Sequence, residues 1–501
     1  MRAGGILLPV FSLPSPYGIG CFSKEAYAFV DFLKEAGQSY WQLLPLGPTG
    51  YGDSPYQPFS AFAGNPYFID PEELVRQELL TEKELLDYRS SCGEEEDSPV
   101  DYGQLYHTRF RLLRRAFERA RGKEDASFAA FCTENADWLE DYVLYMALKT
   151  RQGGKSWEKF EEPLRLRQPQ ALERGRRENE EEMAFHRFLQ YQCNRQWAAL
   201  KEYANRSGIR IIGDIPIYVS LDSADSWSLP ELFQFDENRV PSRIAGCPPD
   251  AFAAEGQLWG NPLYDWDYHE RTGYAWWIRR LEHCFEWYDV VRVDHFRGFD
   301  EYYTIPYGDS TARNGHWEKG PAMKLFEALK AHFGEVSIIA EDLGYLTPSV
   351  EKMVADTGYP GMKVMEFAFD SREPGDYMPY TYRHNCAVYT GTHDNQTLAA
   401  WYGELTEQDR QFLDEYLQLA GLSLEEKVWR IIRLTLACAA DTAVIPMQDY
   451  LCLGAEGRMN RPSTQGNNWR WRMSRSRYSK ELAERIGALT ALYGRIPGNR
   501  G

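Results

Sequence analysis

The chain has no C-x-x-C pair, no Cys/His spacing suited to a metal, no glycine-rich phosphate turn and no apolar run long enough to cross a bilayer. Each absence removes a class of function. Its 9 cysteines stand singly between Cys21 and Cys452, which excludes a zinc framework or a paired redox motif. An odd number without pairing suits a reducing compartment, where free cysteine behaves as a small core residue. Gly18-Ile19-Gly20 follows Pro16 rather than a strand, so it reads as a loop turn and not as a dinucleotide cradle. Basic residues are in deficit, 56 against 74 acidic ones for a net charge of -18. Nucleic acid and anionic membrane surfaces are poor partners for such a chain. The apolar start Ile6-Leu7-Leu8 is broken by Pro9 and is too short for a signal-peptide core. The stretch 434–447 contains Asp441 and cannot span a membrane unaided. A cytoplasmic location is expected.

What remains is an ordinary globular composition, 43% hydrophobic and 26% charged over 501 residues, long enough for a large core and for more than one domain. Aromatic residues are abundant: 15 Trp, 32 Tyr and 25 Phe. They build either a large core or, in part, a groove of flat rings.

Apolar runs that read as buried strands begin at Tyr40, Ile209, Val290, Ile338, Met362, Val388 and Ala443, with helical stretches between them. Near-continuous apolar strands alternating with helices imply a parallel sheet covered on both faces. Seven such runs between residues 40 and 449 favour a (β/α)8 barrel over an open doubly wound sheet. The helices have readable ends. Gly334 follows the apolar face Met323, Phe326, Leu329, Phe333, Gly208 ends the one running through Leu189 and Leu200, and Thr347-Pro348 supplies an N-cap and a first-turn proline. A barrel needs only about 250 residues, so the rest must be insertions within one catalytic unit, residues 1–501. A mostly helical insertion is expected over 72–205, with the acidic run Glu94-Glu95-Glu96-Asp97 as solvated surface. A loop-rich one over the active site is expected at 219–287, and no separate C-terminal β-domain.

Three of the runs end in acids: Arg292-Val293-Asp294-His295, Ala340-Glu341-Asp342 and Thr392-His393-Asp394-Asn395. Residues i and i+2 of a strand share a face, so Arg292 and Asp294 point the same way, and the guanidinium favours an ionised Asp294. Glu341 ends the next strand, one spacing of about 4.8 Å away, close to the roughly 5–5.5 Å that separates the two carboxyls of retaining glycosidases. Asp394 has a competing reading, because Asp394 or Asn395 can cap a helix starting near Leu398. Asp214 and Asp449 can likewise be caps or loop contacts. The joint spacing favours chemistry: the three acids fall on barrel strands four, five and seven, at the catalytic end.

These motifs resemble those of the 4-α-glucanotransferase family (amylomaltase, glycoside hydrolase family 77) of the α-amylase clan. So do Gly47 to Tyr56, Gly213 to Val219, Gly256 to Tyr264, Arg458 to Pro462 and Gly466 to Trp469. The resemblance spans the chain. It implies Asp294 as nucleophile, Glu341 as acid/base and Asp394 as the acid that favours the distorted sugar. It further implies Arg292 orienting Asp294, His393 donating to a sugar hydroxyl and Asp214 holding the sugar at the cleaved end. Ser54, Tyr56, Gln257 and Trp259 would be substrate contacts, Asn467 and Asn468 part of a loop over the groove, and Tyr51 a secondary glucan site. Two positions depart from the family pattern. Cys21-Phe22 stands where Asp is usual after Gly20, and Ser463 where Gly is usual after Pro462.

The implied reaction moves a segment of an α-1,4-glucan to the 4-hydroxyl of another sugar through a covalent glucosyl-enzyme, without metal or cofactor. Expected partners are α-1,4-glucans such as maltooligosaccharides and starch or glycogen fragments, with the protein a monomer or weak homo-oligomer. The Glu341 pKa is expected to be raised chiefly by nearby carboxylates. An α-glucan hydrolase using the same trio is the alternative, and a catalytically silent glucan-binding barrel is disfavoured because all three acids are present.

Overall fold

Eight short strands, each too short to be stable alone, gain their partners by closing on one another in parallel. The computed structural model describes residues 2–50, 52–92, 97–123, 125–249, 254–344, 346–372, 377–464 and 466–496. Tyr51 and the Glu94–Glu96 part of the acidic run lie outside them. The barrel runs β1 (Ala3–Leu7), β2 (Tyr40–Gln42), β3 (Arg210–Pro216), β6 (Val290–Asp294), β9 (Ile338–Ala340), β10 (Gly361–Val364), β11 (Cys386–Tyr389) and β12 (Thr442–Pro446), and β12 returns to pair with β1. Helices fill the connections and pack around the outside, giving the (β/α)8 barrel that the alternation implies.

Strand β6 illustrates the two faces. Val291 and Val293 belong to the layer between barrel and helices, whereas Val290 packs inside with Leu7, Ile212, Ile339, Met362 and Val444. Arg292 and Asp294 share the inward parity of Val290 and sit above that apolar plug, so the plug ends where the charged site begins. At Gly213 a side chain would put its Cβ 2.1 Å from the Tyr288 ring, so the backbone beside Asp214 requires glycine.

The first barrel strand is absent from the sequence expectation. Ala3–Leu7 is fully buried, but Gly4-Gly5 and the nearby Pro9 hide a strand of 5 residues as a broken apolar run. Gly5 is needed there, because a Cβ would lie 2.8 Å from that of Tyr40 on β2.

Between β2 and β3 the described residues from Pro71 to Arg206 are mostly helical. The 219–287 stretch is more regular than its composition suggests. It holds β4 (Arg243–Cys247), β5 (Gln257–Pro262) and the helices Trp266–Arg271 and Ala275–Trp287. With β7 (Glu301–Pro306) and β8 (His316–Lys319) the first two form an antiparallel sheet in the order β5-β4-β7-β8. Its strands come from two separate connections of the barrel, so neither stretch could reveal it alone. Past β12 the described residues hold only helices and loops. Among the described residues no helix is long and apolar enough to cross a membrane.

Candidate active site

The site is built on the C-terminal ends of β3, β6, β9 and β11. At its base Arg292, nearly buried, points Nη1 at both oxygens of Asp214, each 2.7 Å away, and Nη2 at Asp294 Oδ1, 3.0 Å away. Asp214 is 0% exposed, and its Oδ2 also accepts from the Tyr56 hydroxyl at 2.8 Å. Asp214 therefore anchors Arg292 and Tyr56 from below. Both of its oxygens thus already accept hydrogen bonds from the protein. Asp294 keeps 31% of its side-chain surface open, which leaves its other oxygen accessible.

Register places the second carboxyl beside the first. Val293 pairs with Ala340, and the Glu341 N–H donates to the Val293 carbonyl at 3.1 Å, so Asp294 and Glu341 are next-door neighbours across one strand spacing, about 4.8 Å. Glu341 is held by backbone donors: the His295 N–H to Oε2 at 2.6 Å and the Leu343 N–H to Oε1 at 2.9 Å. Glu341-Asp342 does not start the following helix, which begins at Pro348 and is capped by Thr347.

The electrostatics differ in part from expectation. Burial is the chief cause that raises the Glu341 pKa, to about 7, and the Asp294 charge comes second. The anticipated direction holds, with the order of causes reversed. Burial also raises Asp294 above the usual carboxylate range, and Arg292 offsets this only in part. Of the pair, Asp294 has the guanidinium and Glu341 does not, so Asp294 is the ionised member. Burial works against the charge on Arg292 itself, but Asp214 and then Asp294 outweigh it.

Asp394 is not a helix cap. Thr397 caps the helix Leu398–Glu404, and Asn395 Oδ1 accepts from the Thr392 N–H at 2.9 Å. Asp394 instead stands 46% open, with His393 Nε2 3.4 Å from its Oδ1. His393 stacks on Tyr56 with ring centres 4.8 Å apart, and its Nδ1 is 3.2 Å from the Tyr56 hydroxyl. Asp449 is structural: it accepts from the Leu398 N–H and the Thr390 hydroxyl.

The remaining expected residues divide. Ser54 Oγ accepts from the Tyr56 N–H at 3.3 Å and shapes that turn. Trp259, on β5, is partly exposed, donates to Gln257 Oε1 at 2.9 Å and meets His295 edge-on at 4.8 Å. Asn468 closes its own loop, accepting from the Arg461 N–H and donating to Thr464. Asn467 accepts from Arg470 at 3.1 Å. Two ring contacts lie outside the sequence reading: Trp469 packs against both Tyr56 and His393 at 5.8 Å. His295 contributes its backbone rather than its side chain. Both lie within the recognised motifs, which is the only signal in the sequence that points to them.

A family model described as 4-alpha-glucanotransferase matches residues 8–477. The chain belongs to the 4-alpha-glucanotransferase family. It is 46% identical to the 4-alpha-glucanotransferase of Clostridium butyricum over 97% of this chain and 99% of that one. With the enzyme of that name from Thermus thermophilus it shares 47% identity over 99% of each. The amylomaltase of Streptococcus agalactiae, solved in complex with acarbose, superimposes with a TM-score of 0.95 at 39% identity, covering 99% of this chain and 100% of that one. These matches run from end to end, so the barrel, its insertions and the strand-end acids all fall within the 4-alpha-glucanotransferase likeness.

Proposed function

We propose that the chain carries out its family's reaction, transfer of an α-1,4-glucan segment to another sugar, by double displacement with retention. In the first step Asp294 attacks the anomeric carbon while Glu341 gives its proton to the departing glycosidic oxygen, leaving a glucosyl ester on Asp294. In the second step Glu341, now ionised, takes the proton of the acceptor hydroxyl as that oxygen attacks the ester carbon and Asp294 leaves. Asp394 and His393 hold the hydroxyls of the distorted sugar, Arg292 fixes Asp294, and Tyr56 and Trp259 offer ring faces. The observation that carries the reading is the asymmetry of two neighbouring carboxyls: one faces Arg292 at 3.0 Å, and the other, without a guanidinium, is raised to about 7. Microscopic reversibility requires one group that is acid in one step and base in the next, and a pKa near the working pH serves both.

The same reading takes residues 1–501 as one catalytic barrel, with the 72–205 and 219–287 stretches as its insertions, α-1,4-glucans as partners and the cytoplasm as location. Incubation with maltotriose tests the transfer. Glucose should appear together with maltotetraose and longer chains, and reducing ends should stay constant in number. A rise in reducing ends with only shorter products would establish hydrolysis instead. Asp294→Asn should abolish turnover while glucan binding persists; an active Asp294→Asn enzyme would overturn the assignment.

A further inference from the structure

The segment after Arg458 stands on the catalytic floor at two points. Asn460 Nδ2 donates to Asp394 Oδ1 at 2.7 Å, the shortest approach of any donor to that carboxyl among the described residues. Nine positions on, Trp469 lies against Tyr56 and His393. The first contact is fixed by a backbone lattice. The Asn460 N–H donates to the His393 carbonyl at 3.1 Å. Arg458 donates from Nε to the Asn460 carbonyl at 2.9 Å and from Nη2 to the Asp394 carbonyl at 3.1 Å. Asn460 thus has little freedom to move without moving Asp394.

Asp394 needs such a holder. Nearly half of its side chain is open, and an exposed carboxylate on a loop is free to rotate. Among the described residues its Oδ1 is approached by Asn460 and His393, while Oδ2 accepts no protein hydrogen bond. A carboxylate whose one oxygen is tied and whose other is free presents a single acceptor in a fixed direction. That preorganisation is worth most in the transition state, where misplacement by 1 Å can lower a rate about 100-fold.

We infer that Asn460, braced by Arg458, is a positioning residue for catalysis: it orients Asp394 so that the free oxygen meets the hydroxyls of the distorted sugar. The inference rests on the proposed role of Asp394 and deepens it. Asn460 acts through Asp394 and touches no reacting atom. Because the same segment carries Trp469, the orientation of Asp394 is tied to the seating of Trp469 against Tyr56 and His393.

The test uses the full-length enzyme with maltotriose and compares Asn460→Ala, Asn460→Asp, Asp394→Asn and the double variant Asn460→Ala/Asp394→Asn. Asn460→Ala should lower kcat 10- to 100-fold, in the range of the misplacement effect, with KM for the donor changed less than about 3-fold, because ground-state binding is spared. Asn460→Asp keeps the shape but sets a carboxylate against Asp394, with His393, Arg458, Arg292 and Asp294 as the other charged or titratable groups nearby. A proton shared by the two carboxyls restores the hydrogen bond, so its kcat should recover as pH falls, relative to the unaltered enzyme. A merely structural role would leave that profile unmoved. In the double variant the Asn460 change should add less than about 2-fold to the Asp394→Asn loss. Full kcat in Asn460→Ala, or additive losses, would overturn the inference while the role of Asp394 stood. Full activity in Asp394→Asn would overturn both.

Discussion

His295 holds Glu341 through its main chain. Its N–H reaches Glu341 Oε2 at 2.6 Å, and the residue lies in the left-handed region, with φ 53° and ψ 47°. The residue that follows the proposed nucleophile in sequence thereby helps to orient the proposed acid/base. The turn itself, more than the imidazole, performs this task; burial keeps the ring neutral by lowering its pKa to about 3.

A residue that tolerates positive φ should therefore replace His295, and a β-branched one should not. His295→Asn is expected to retain at least a tenth of kcat. His295→Val should lose more than 100-fold and cost about 2 kcal/mol of stability. Steady-state kinetics with maltotriose and urea unfolding read both quantities. Equal kcat in the two variants would show that the turn geometry does not control Glu341.

The raised Glu341 pKa predicts two pH effects of known sign. Donor attack needs Glu341 protonated, so kcat/KM should fall as pH rises through about 7. The acid limb should follow Asp294, whose burial places it above the ordinary carboxylate range. A profile flat from pH 6 to 9 would contradict the assignment. For stability, the folded-state pKa of about 7 exceeds the ordinary 4.5. The contribution is therefore full below 4.5 and is lost as pH passes 7. Glu341→Gln should raise the unfolding free energy at pH 8, by at most roughly 3 kcal/mol, and leave it nearly unchanged at pH 4.

Arg292→Lys should be severe despite the retained charge. One ammonium cannot span Asp214 and Asp294 as the planar guanidinium does. The variant is expected to lose more than 100-fold in kcat and about 3 kcal/mol of stability, because Asp214 stays buried with a weakened partner. Its acid limb should move to higher pH, since an ammonium that cannot reach both carboxyls opposes protonation of Asp294 less. A Lys variant within 3-fold of full activity would refute the shared-guanidinium reading.

Ser463 lies in the left-handed region that favours glycine, with φ 61°. Ser463→Gly should relieve local strain and stabilise the segment by up to about 1 kcal/mol, partly offset by the unfolded chain's added freedom. Ser463→Pro cannot adopt this φ and should impair the enzyme. Amide exchange across residues 460–469 measures the first effect, with faster exchange in Ser463→Gly as the contrary outcome.

Much of the site is legible because it follows from strand parity and register. Arg292 and Asp294 share a face by alternation, and Glu341 adjoins Asp294 because β6 and β9 are neighbours. What stays hidden depends on distant pairings. The contacts of Asp214 with Arg292 and Tyr56 join residues 78 and 158 positions apart. Asn460 is 66 positions from Asp394, and no local pattern links them. The β5-β4-β7-β8 sheet draws strands from two connections, and β1 is masked by its glycines. Burial likewise dominates the Glu341 pKa because of atoms that periodicity cannot count.

The seam between β1 and β12 has a consequence for how the protein comes into being. Residues 3–7 can pair with residues 40–42 early, but their other edge is completed only by residues 442–446. At the usual 5–20 residues per second, a ribosome needs roughly 20–80 s to add the intervening chain. Throughout that interval the nascent barrel has an open strand edge and an unclosed apolar plug. Both invite pairing with other chains. All the chain between residues 3 and 446 must therefore be made before the ring closes, which makes this fold's exposure to aggregation a matter of translation speed as well as of sequence.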